Sequence, residues 1–207
     1  SVQAGASNPL SIAFYRENFG IERLILPRIL DVAEVAKLIS QIGIDAEVFA
    51  FGNLGTMVEG RCSLASYMTG ISPNCDGACA EASKVSYKEV GDQMISCLGS
   101  VTLNSFGKDE PAAYPTPCKA RLVVKGEPAY LFEEPVGLNV IGILPQLKAA
   151  GVTALKIEGR QRSRAYVARV VSVFRSVLDA MAQGAAPPTD TDLRMMVEGH
   201  RETLGAY

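Results

Sequence analysis

Short apolar runs alternate with amphipathic stretches through the first fifty residues of the chain. Residues 23–27 and 47–52 are continuous apolar runs, and residues 31–43 between them carry hydrophobic side chains at helical spacing behind an aspartate cap. A second helix is predicted to start at Asn8-Pro9. Continuous apolar runs are typical of parallel strands that are covered on both faces. The alternation therefore predicts an α/β fold with a parallel sheet or barrel.

The same alternation returns in the second half of the chain. Residues 138–150 predict a helix that ends at Gly151, residues 153–157 a strand, and residues 163–181 a long amphipathic helix. The whole chain holds about half of the eight strand–helix units that close a TIM barrel. We therefore expect the C-terminal part of a TIM-like (β/α) barrel over residues 1–183. Residues 184–207 are expected to form a linker and a polar C-terminal tail.

A long segment without this rhythm, residues 53–133, interrupts the predicted barrel. It contains all five cysteines, many Gly, Pro and Ser residues, a β-like run at 94–98 and a predicted hairpin over 121–133. Long insertions in compact folds usually carry function. The sequence therefore predicts a cysteine-rich insertion that forms a binding site.

Composition narrows the class of protein. The net charge of -2 does not favour a protein that neutralises many phosphates, so no nucleic-acid partner is expected. The chain has no apolar run of about 20 residues, the length a membrane span requires. The first residues lack the basic and apolar regions of an export signal, which predicts a cytoplasmic protein. In that reducing compartment, clustered thiols bind metal more often than they form disulfides.

The cysteines have a spacing that suggests a cluster site. Cys62 is followed after 12 residues by Cys75, after three more by Cys79, and after another 38 by Cys118. Four thiolates saturate an iron–sulfur cluster, and they also make a closed zinc site. The absence of paired CxxC motifs disfavours zinc. Cys97 lies in an apolar run and is expected to be buried.

A second candidate site lies at the end of the last predicted strand. Lys156, Glu158 and Arg160 alternate, so they should share one face at the carboxyl end of the strand, where barrel enzymes place their chemistry. They are candidate catalytic residues that would bind an anionic oxygen donor. Alternatively, they form a structural ion pair at the barrel rim. Arg28, directly after an earlier strand, has the same two interpretations.

Several segments carry a family resemblance. Residues 47–52, 59–70 and 77–79 resemble the collagenase-like peptidase family, family 32 of the unclassified peptidases. Other segments resemble the branch of U-type subunits in the oxygen-independent ubiquinone hydroxylation system: residues 1–4, 26–28, 117–119, 133–135, 156–163 and 203–207. The resemblance implies a 4Fe-4S cluster, a heterodimer with a V-type homologous subunit, and O2-independent hydroxylation of the aromatic ring of ubiquinone precursors.

One position departs from the U-type pattern. The four ligands of that branch would fall at Gly55, Cys62, Cys79 and Cys118, and a glycine cannot bind iron through a side chain. The V-type subunits resemble this chain in having a cysteine at the position of Cys75. We therefore expect Cys75 to replace the missing ligand.

Three alternative functions remain open from the sequence. The chain could be a non-catalytic scaffold subunit that carries a cluster or zinc, an RNA-base hydroxylase like other family members, or a peptidase as the family name suggests. A peptidase function has little support from the residues, because the sequence has neither an HExxH nor a GxSxG motif. The lone histidine, His200, lies in a charged segment.

Overall fold

The chain folds into two compact units. The computed structural model describes residues 2–55, 62–159 and 162–207. The first unit comprises Ser1–Asn53, Gly137–Val197 and Glu202–Tyr207, and the second comprises Leu54–Val136 and Glu198–Arg201. Helices and strands occur together in this chain, so the predicted α/β class is confirmed.

The helices and strands follow one another along both units. The helices are α1 (Pro9–Phe19), α2 (Val32–Ile42), α3 (Ser63–Thr69), α4 (Pro73–Asp76), α5 (Leu144–Ala149) and α6 (Arg164–Ala182). The strands are β1 (Arg23–Ile25), β2 (Asp45–Asn53), β3 (Val85–Val90), β4 (Gln93–Leu98), β5 (Val101–Phe106), β6 (Arg121–Val124), β7 (Glu127–Tyr130), β8 (Gly137–Asn139), β9 (Ala154–Ile157) and β10 (Glu202–Thr203). None of the helices within the described ranges combines the length and apolar character that crossing a membrane requires.

Local signals in the sequence account for the first helices. The Asn8 side chain accepts the Ser11 N–H at 3.0 Å and so caps α1. Asp31 and Glu34 form a reciprocal capping box at the start of α2. These contacts satisfy N–H groups that have no partner within the helix.

Strand β2 is the centre of the five-stranded sheet of the first unit. Glu47 pairs with both β1 and β9, so these two parallel strands lie on opposite edges of β2. Phe51 pairs with both β9 and the antiparallel β8, so β8 lies on the same edge as β1. Strand β10 extends the sheet beside β8. The strands described here do not form a closed barrel, and the partial TIM barrel stays a prediction.

The predicted helix over residues 138–150 is wrong in its first half. Strand β8 occupies Gly137–Asn139, a short turn follows, and the helix begins only at Leu144. Leu138 and Val140 are both buried, and the Val140 N–H donates to the Ala50 carbonyl at 3.1 Å. Pairing with β2 therefore overrides the local helical pattern. At the start of the chain, Val2–Ala4 form a short 3-10 turn.

Helix α6 supplies much of the apolar core of the first unit. It buries one face, formed by Tyr166, Val170, Val173, Phe174 and Val177. The Phe51 ring of β2 lies 6.1 Å from that of Tyr166 and 6.0 Å from that of Phe174. Each such buried side chain stabilises the fold by about 1.5–3 kcal/mol.

The second unit is built from two antiparallel sheets. Strands β3, β4 and β5 form one, and β6 and β7 form the predicted hairpin, which turns at Lys125 and Gly126 with positive φ at both residues. A small core holds the unit together, with Ala80, Leu98, Leu103 and Ala120 buried and Met68, Val85, Val101, Tyr114 and Leu122 packed against them.

Residues 184–207 do more than form a linker and a polar tail. Leu193 and Val197 are buried, and β10 belongs to the sheet. An added Cβ on Gly137 would lie 2.7 Å from Val197, so the two segments are in close contact. The C-terminal segment is therefore part of the packing of the first unit.

The packing of this segment can be tested with a matched pair of substitutions. Leu193 is 1% exposed and Met195 is 70% exposed. We expect Leu193→Ala to lower the free energy of unfolding by about 2–5 kcal/mol, because it leaves a cavity. Met195→Ala should change it by less than about 0.5 kcal/mol. Urea unfolding measures both, and equal effects would contradict the packing described here.

Candidate functional site

Cys62 stands at the N-terminus of helix α3. Its sulfur accepts the Ala65 N–H at 3.4 Å, and its side chain is half-buried. Hydrogen bonds from backbone N–H groups to cysteine sulfur are among the contacts that tune iron–sulfur clusters. The position therefore suits a cluster ligand.

Cys118 lies in a 3-10 turn, Pro117–Lys119, that contacts α3. Its side chain is 7% exposed, and its carbonyl accepts the Glu133 N–H at 3.1 Å. The ammonium group of the buried Lys119 donates to the Val136 carbonyl. These contacts hold the turn, and with it Cys118, in a defined position.

Cys79 lies next to the small core of the second unit. It is half-buried, and the following residue, Ala80, belongs to that core together with Met68 of α3 and Ala120. The Tyr114 hydroxyl donates to the Ala80 carbonyl at 2.8 Å. The segments that carry three of the predicted ligands are thus anchored in one core.

The other two cysteines have different surroundings. Cys75 is exposed on α4, the position expected to replace the ligand missing at Gly55. Cys97 is buried on β4, as expected, with its sulfur 3.8 Å from the Thr102 hydroxyl. Burial between strands makes Cys97 a structural residue.

The donor set has the chemistry of an iron–sulfur site. All four predicted ligands are cysteines, and three of them lie on segments of one core. In the described ranges, however, no three Cys, His, Asp or Glu side chains are grouped so that they could hold a metal ion. The structure therefore places the segments of three predicted ligands against one core but does not group the sulfur atoms of the described residues into a metal site.

The second candidate site lies at the carboxyl edge of the sheet in the first unit. Glu158 Oε2 accepts the Asn53 N–H at 2.7 Å, and Arg28 donates to the Asn53 carbonyl at 2.7 Å. Asn53 Oδ1 is buried and has no hydrogen-bond partner in the part of the chain that is described. Such an atom would be satisfied by a water or a ligand donor. Glu158 and Arg28 thus hold the end of β2.

Lys156 contributes a second cation to this region. Its ammonium group lies 3.6 Å from Glu47 and 5.8 Å from the centre of the Phe49 ring. The Arg28 guanidinium lies 4.5 Å from the same ring centre. Lys156 therefore forms an ion pair with Glu47 of β2, and the role predicted for Lys156, Glu158 and Arg160 stays a prediction. Arg160 lies outside the described residues.

Tyr207 is a member of this region that sequence reasoning missed. Its hydroxyl donates to the Phe49 carbonyl at 3.3 Å. Burial raises the pKa of Tyr207 to about 12, against the opposing effect of the Arg28 guanidinium. The only signal in the sequence was a large aromatic residue at position 207.

The chain matches the sequence model of one known protein family. Residues 1–203 match the model of peptidase family U32, and the chain belongs to this family. This confirms the resemblance drawn from residues 47–52, 59–70 and 77–79. No solved structure matches the chain.

Individual relatives carry different names. The chain is 30% identical over 219 residues to the tRNA hydroxylation protein P of Escherichia coli, covering 96% of this chain and 47% of that protein. It is 30% identical over 180 residues to the tRNA hydroxylation protein P1 of Bacillus subtilis, covering 87% and 37%. An uncharacterized protease of Methanocaldococcus jannaschii is 24% identical over 190 residues, covering 89% and 40%. The chain thus spans less than half the length of each of these relatives.

Gly52 provides a test of the contact at the sheet edge. Its φ is +137°, and an added Cβ would lie 2.5 Å from the Glu158 Cβ. We expect Gly52→Ala to lower the free energy of unfolding by about 2–4 kcal/mol, because backbone strain and overpacking add. Gly142→Ala is the control, since nothing lies within 4 Å of an added Cβ there. Thermal and urea unfolding measure the difference, and similar stabilities would refute the close contact.

Proposed function

We propose that this chain is the iron–sulfur part of an oxygen-independent hydroxylase acting on the aromatic ring of ubiquinone precursors, with a V-type partner. The observation that carries the proposal is that Cys62, Cys79 and Cys118 lie on segments anchored in one small core. The names of two relatives, which refer to hydroxylation, support the reaction class. The motifs shared with U-type subunits support the substrate.

The proposed ligands of a 4Fe-4S cluster are Cys62, Cys75, Cys79 and Cys118. When bound, the cluster would supply the iron-centred redox chemistry of the reaction. The protein would contribute a partly buried site, the Ala65 N–H on the Cys62 sulfur, and the rigid turn around Cys118. The exposed position of Cys75 leaves it accessible to complete the set.

Lys156 and Arg160 are the proposed catalytic residues, and Glu158 is proposed as a positioning residue. Glu158 is bonded to the backbone of Asn53, so its contribution would be to hold the carboxyl edge of the sheet in place. Lys156 would provide positive charge for an anionic donor, in competition with Glu47. We assign Arg160 to the site from its spacing along the sequence.

An RNA base is the second candidate substrate. The observation that favours it is that relatives named tRNA hydroxylation proteins match up to 96% of this chain. The net charge of -2 counts against it, because RNA binding usually depends on a basic excess. The ubiquinone precursor therefore remains the first proposal.

A peptidase and a zinc scaffold are less well supported. The sequence has one histidine and lacks the HExxH and GxSxG motifs, so the residues of common peptidase mechanisms are missing. A closed zinc site would use the same four sulfurs as the cluster. Metal analysis separates the zinc scaffold from the hydroxylase.

Anaerobic reconstitution with iron and sulfide tests the cluster. The wild type should bind about four irons per chain. Cys75→Ala and Cys118→Ala should lose most of this iron, because each removes a proposed ligand. Cys97→Ala is the matched control and should bind as much iron as the wild type. Tight binding of one zinc without iron would instead support the scaffold.

A competition between substrates tests the reaction. The cluster-loaded protein, with its V-type partner, an anionic organic compound as hydroxyl donor and no O2, should transfer one oxygen atom from that donor, which is reduced in the step, to a prenylated phenol. It should leave a tRNA unchanged. Mass spectrometry of both substrates reads this out, with Cys118→Ala as the inactive control. Oxygen gained only by the RNA would overturn the proposed substrate in favour of the second candidate.

A further inference from the structure

Helix α6 carries more apolar residues than its buried face contains. Beside that face, a second stripe of apolar side chains follows the helix at alternating intervals of four and three residues: Val167, Val171, Phe174, Leu178 and Met181. Phe174 is buried, but Val167 is 38% exposed and Val171 is 47% exposed. A helix that is apolar on two faces is normally covered on both. Within the described residues, the second stripe is covered only in part.

The second stripe lines a groove in the first unit. The groove has a volume of about 450 Å³ and lies between α5, β9 and α6. Four members of the stripe, all except Val167, line it together with Leu147 of α5 and with Leu155 and Ile157 of β9. The groove therefore has apolar walls contributed by three elements of one unit.

Strand β9 is also incompletely covered. All four of its residues are half-buried, whereas most of β2 is buried. Among the described strands, β9 pairs with β2 alone. Strands of parallel sheets are normally covered on both faces by helices. The groove is therefore a place where a further helix would bury apolar surface of both β9 and α6.

We propose that this groove binds an amphipathic helix of a partner protein, one with acidic residues beside its apolar positions. Alternating intervals of four and three residues are the spacing of the a and d positions through which two helices pack together. From Val167 to Met181 the second stripe is about 21 Å long, enough for about four turns of a partner helix. Binding of such a helix is independent of the proposed reaction.

Two cations determine the charge of the partner. Lys148, in the last turn of α5, and Arg175 of α6 both line the groove. Among the described residues that line it, no side chain is acidic. Arg175 pairs with Asp179 at 2.6 Å, but both side chains are more than half exposed, and such pairs are weak. Carboxylates on the partner helix would therefore complement the groove.

A second copy of this chain fits the groove less well. Arg175 follows Phe174, the middle residue of the second stripe. Two copies of α6 that packed around this point with two-fold symmetry would bring their Arg175 side chains together. Like charges in contact oppose association. A partner with acidic residues removes this repulsion.

The test is fluorescence anisotropy of labelled peptides titrated with the 207-residue chain. The probe is a helical peptide of about 20 residues with leucine at the a and d positions and glutamate at the e and g positions. A second peptide has lysine in place of every glutamate. We expect the acidic peptide to bind at least about tenfold more tightly than the basic one, because only the acidic peptide complements Lys148 and Arg175.

Three variants of the chain test the position of the site. Val171→Asp should weaken binding of the acidic peptide at least about tenfold, since it would bury an unpaired carboxylate. Lys148→Glu should weaken the acidic peptide and strengthen the basic one. Val123→Asp is the matched control, because Val123 is 74% exposed and lies in the second unit. Urea unfolding checks that each variant is folded.

Loss of the acidic peptide in Val171→Asp, with normal binding in Val123→Asp, supports the helix site even where no hydroxylation is detected. Equal binding of both peptides, or unchanged binding in Val171→Asp, would overturn it. A wild-type dimer in sedimentation that binds no peptide and that Val171→Asp dissociates would assign the groove to a second copy. Binding of laurate without binding of the acidic peptide would make it a small-molecule site.

Discussion

Strand β2 must have every backbone group paired, and the first unit is organised around that constraint. The strand is buried over most of its length, where an unpaired carbonyl or N–H would be costly. Parallel strands β1 and β9 pair with opposite edges, and β8 pairs where β1 has ended. Side chains pair with other backbone groups of the strand: Glu158 accepts the N–H of Asn53, and Tyr207 donates to the carbonyl of Phe49. Polar residues at the carboxyl edge, Glu158 and Arg28, therefore stabilise the end of the strand.

The second unit has a different source of stability. Its core consists of four small or medium-sized buried residues and a few partly buried neighbours. Small cores of this kind are often supplemented by a metal, which links distant segments of the chain. A cluster bound to Cys62, Cys79 and Cys118 would connect three segments that already pack together. The same three cysteines would then bind the cluster and, through it, stabilise the second unit.

The candidate sites were predictable in part. Of the four cysteines clustered in the sequence, three lie on segments that pack on one core, and the apolar run around Cys97 indicated its burial. The exposure of Cys75 was not predictable, because it depends on how the loop before it packs. The strand predicted over residues 153–157 is observed as β9, with Lys156 in it and Glu158 directly after it. Their partners, Glu47 and Asn53, come from another strand and could not be read from spacing.

The sequence by itself determined the features whose causes lie within a few residues. The cap at Asp31, the turn at Lys125-Gly126 and the long helix α6 each follow from local hydrogen bonding, backbone freedom or helical spacing. Only the tertiary structure decided that residues 137–139 form a strand and that Tyr207 reaches β2. Both depend on contacts with β2, far away in the sequence, and the free energy of burying and pairing its backbone outweighs local preference.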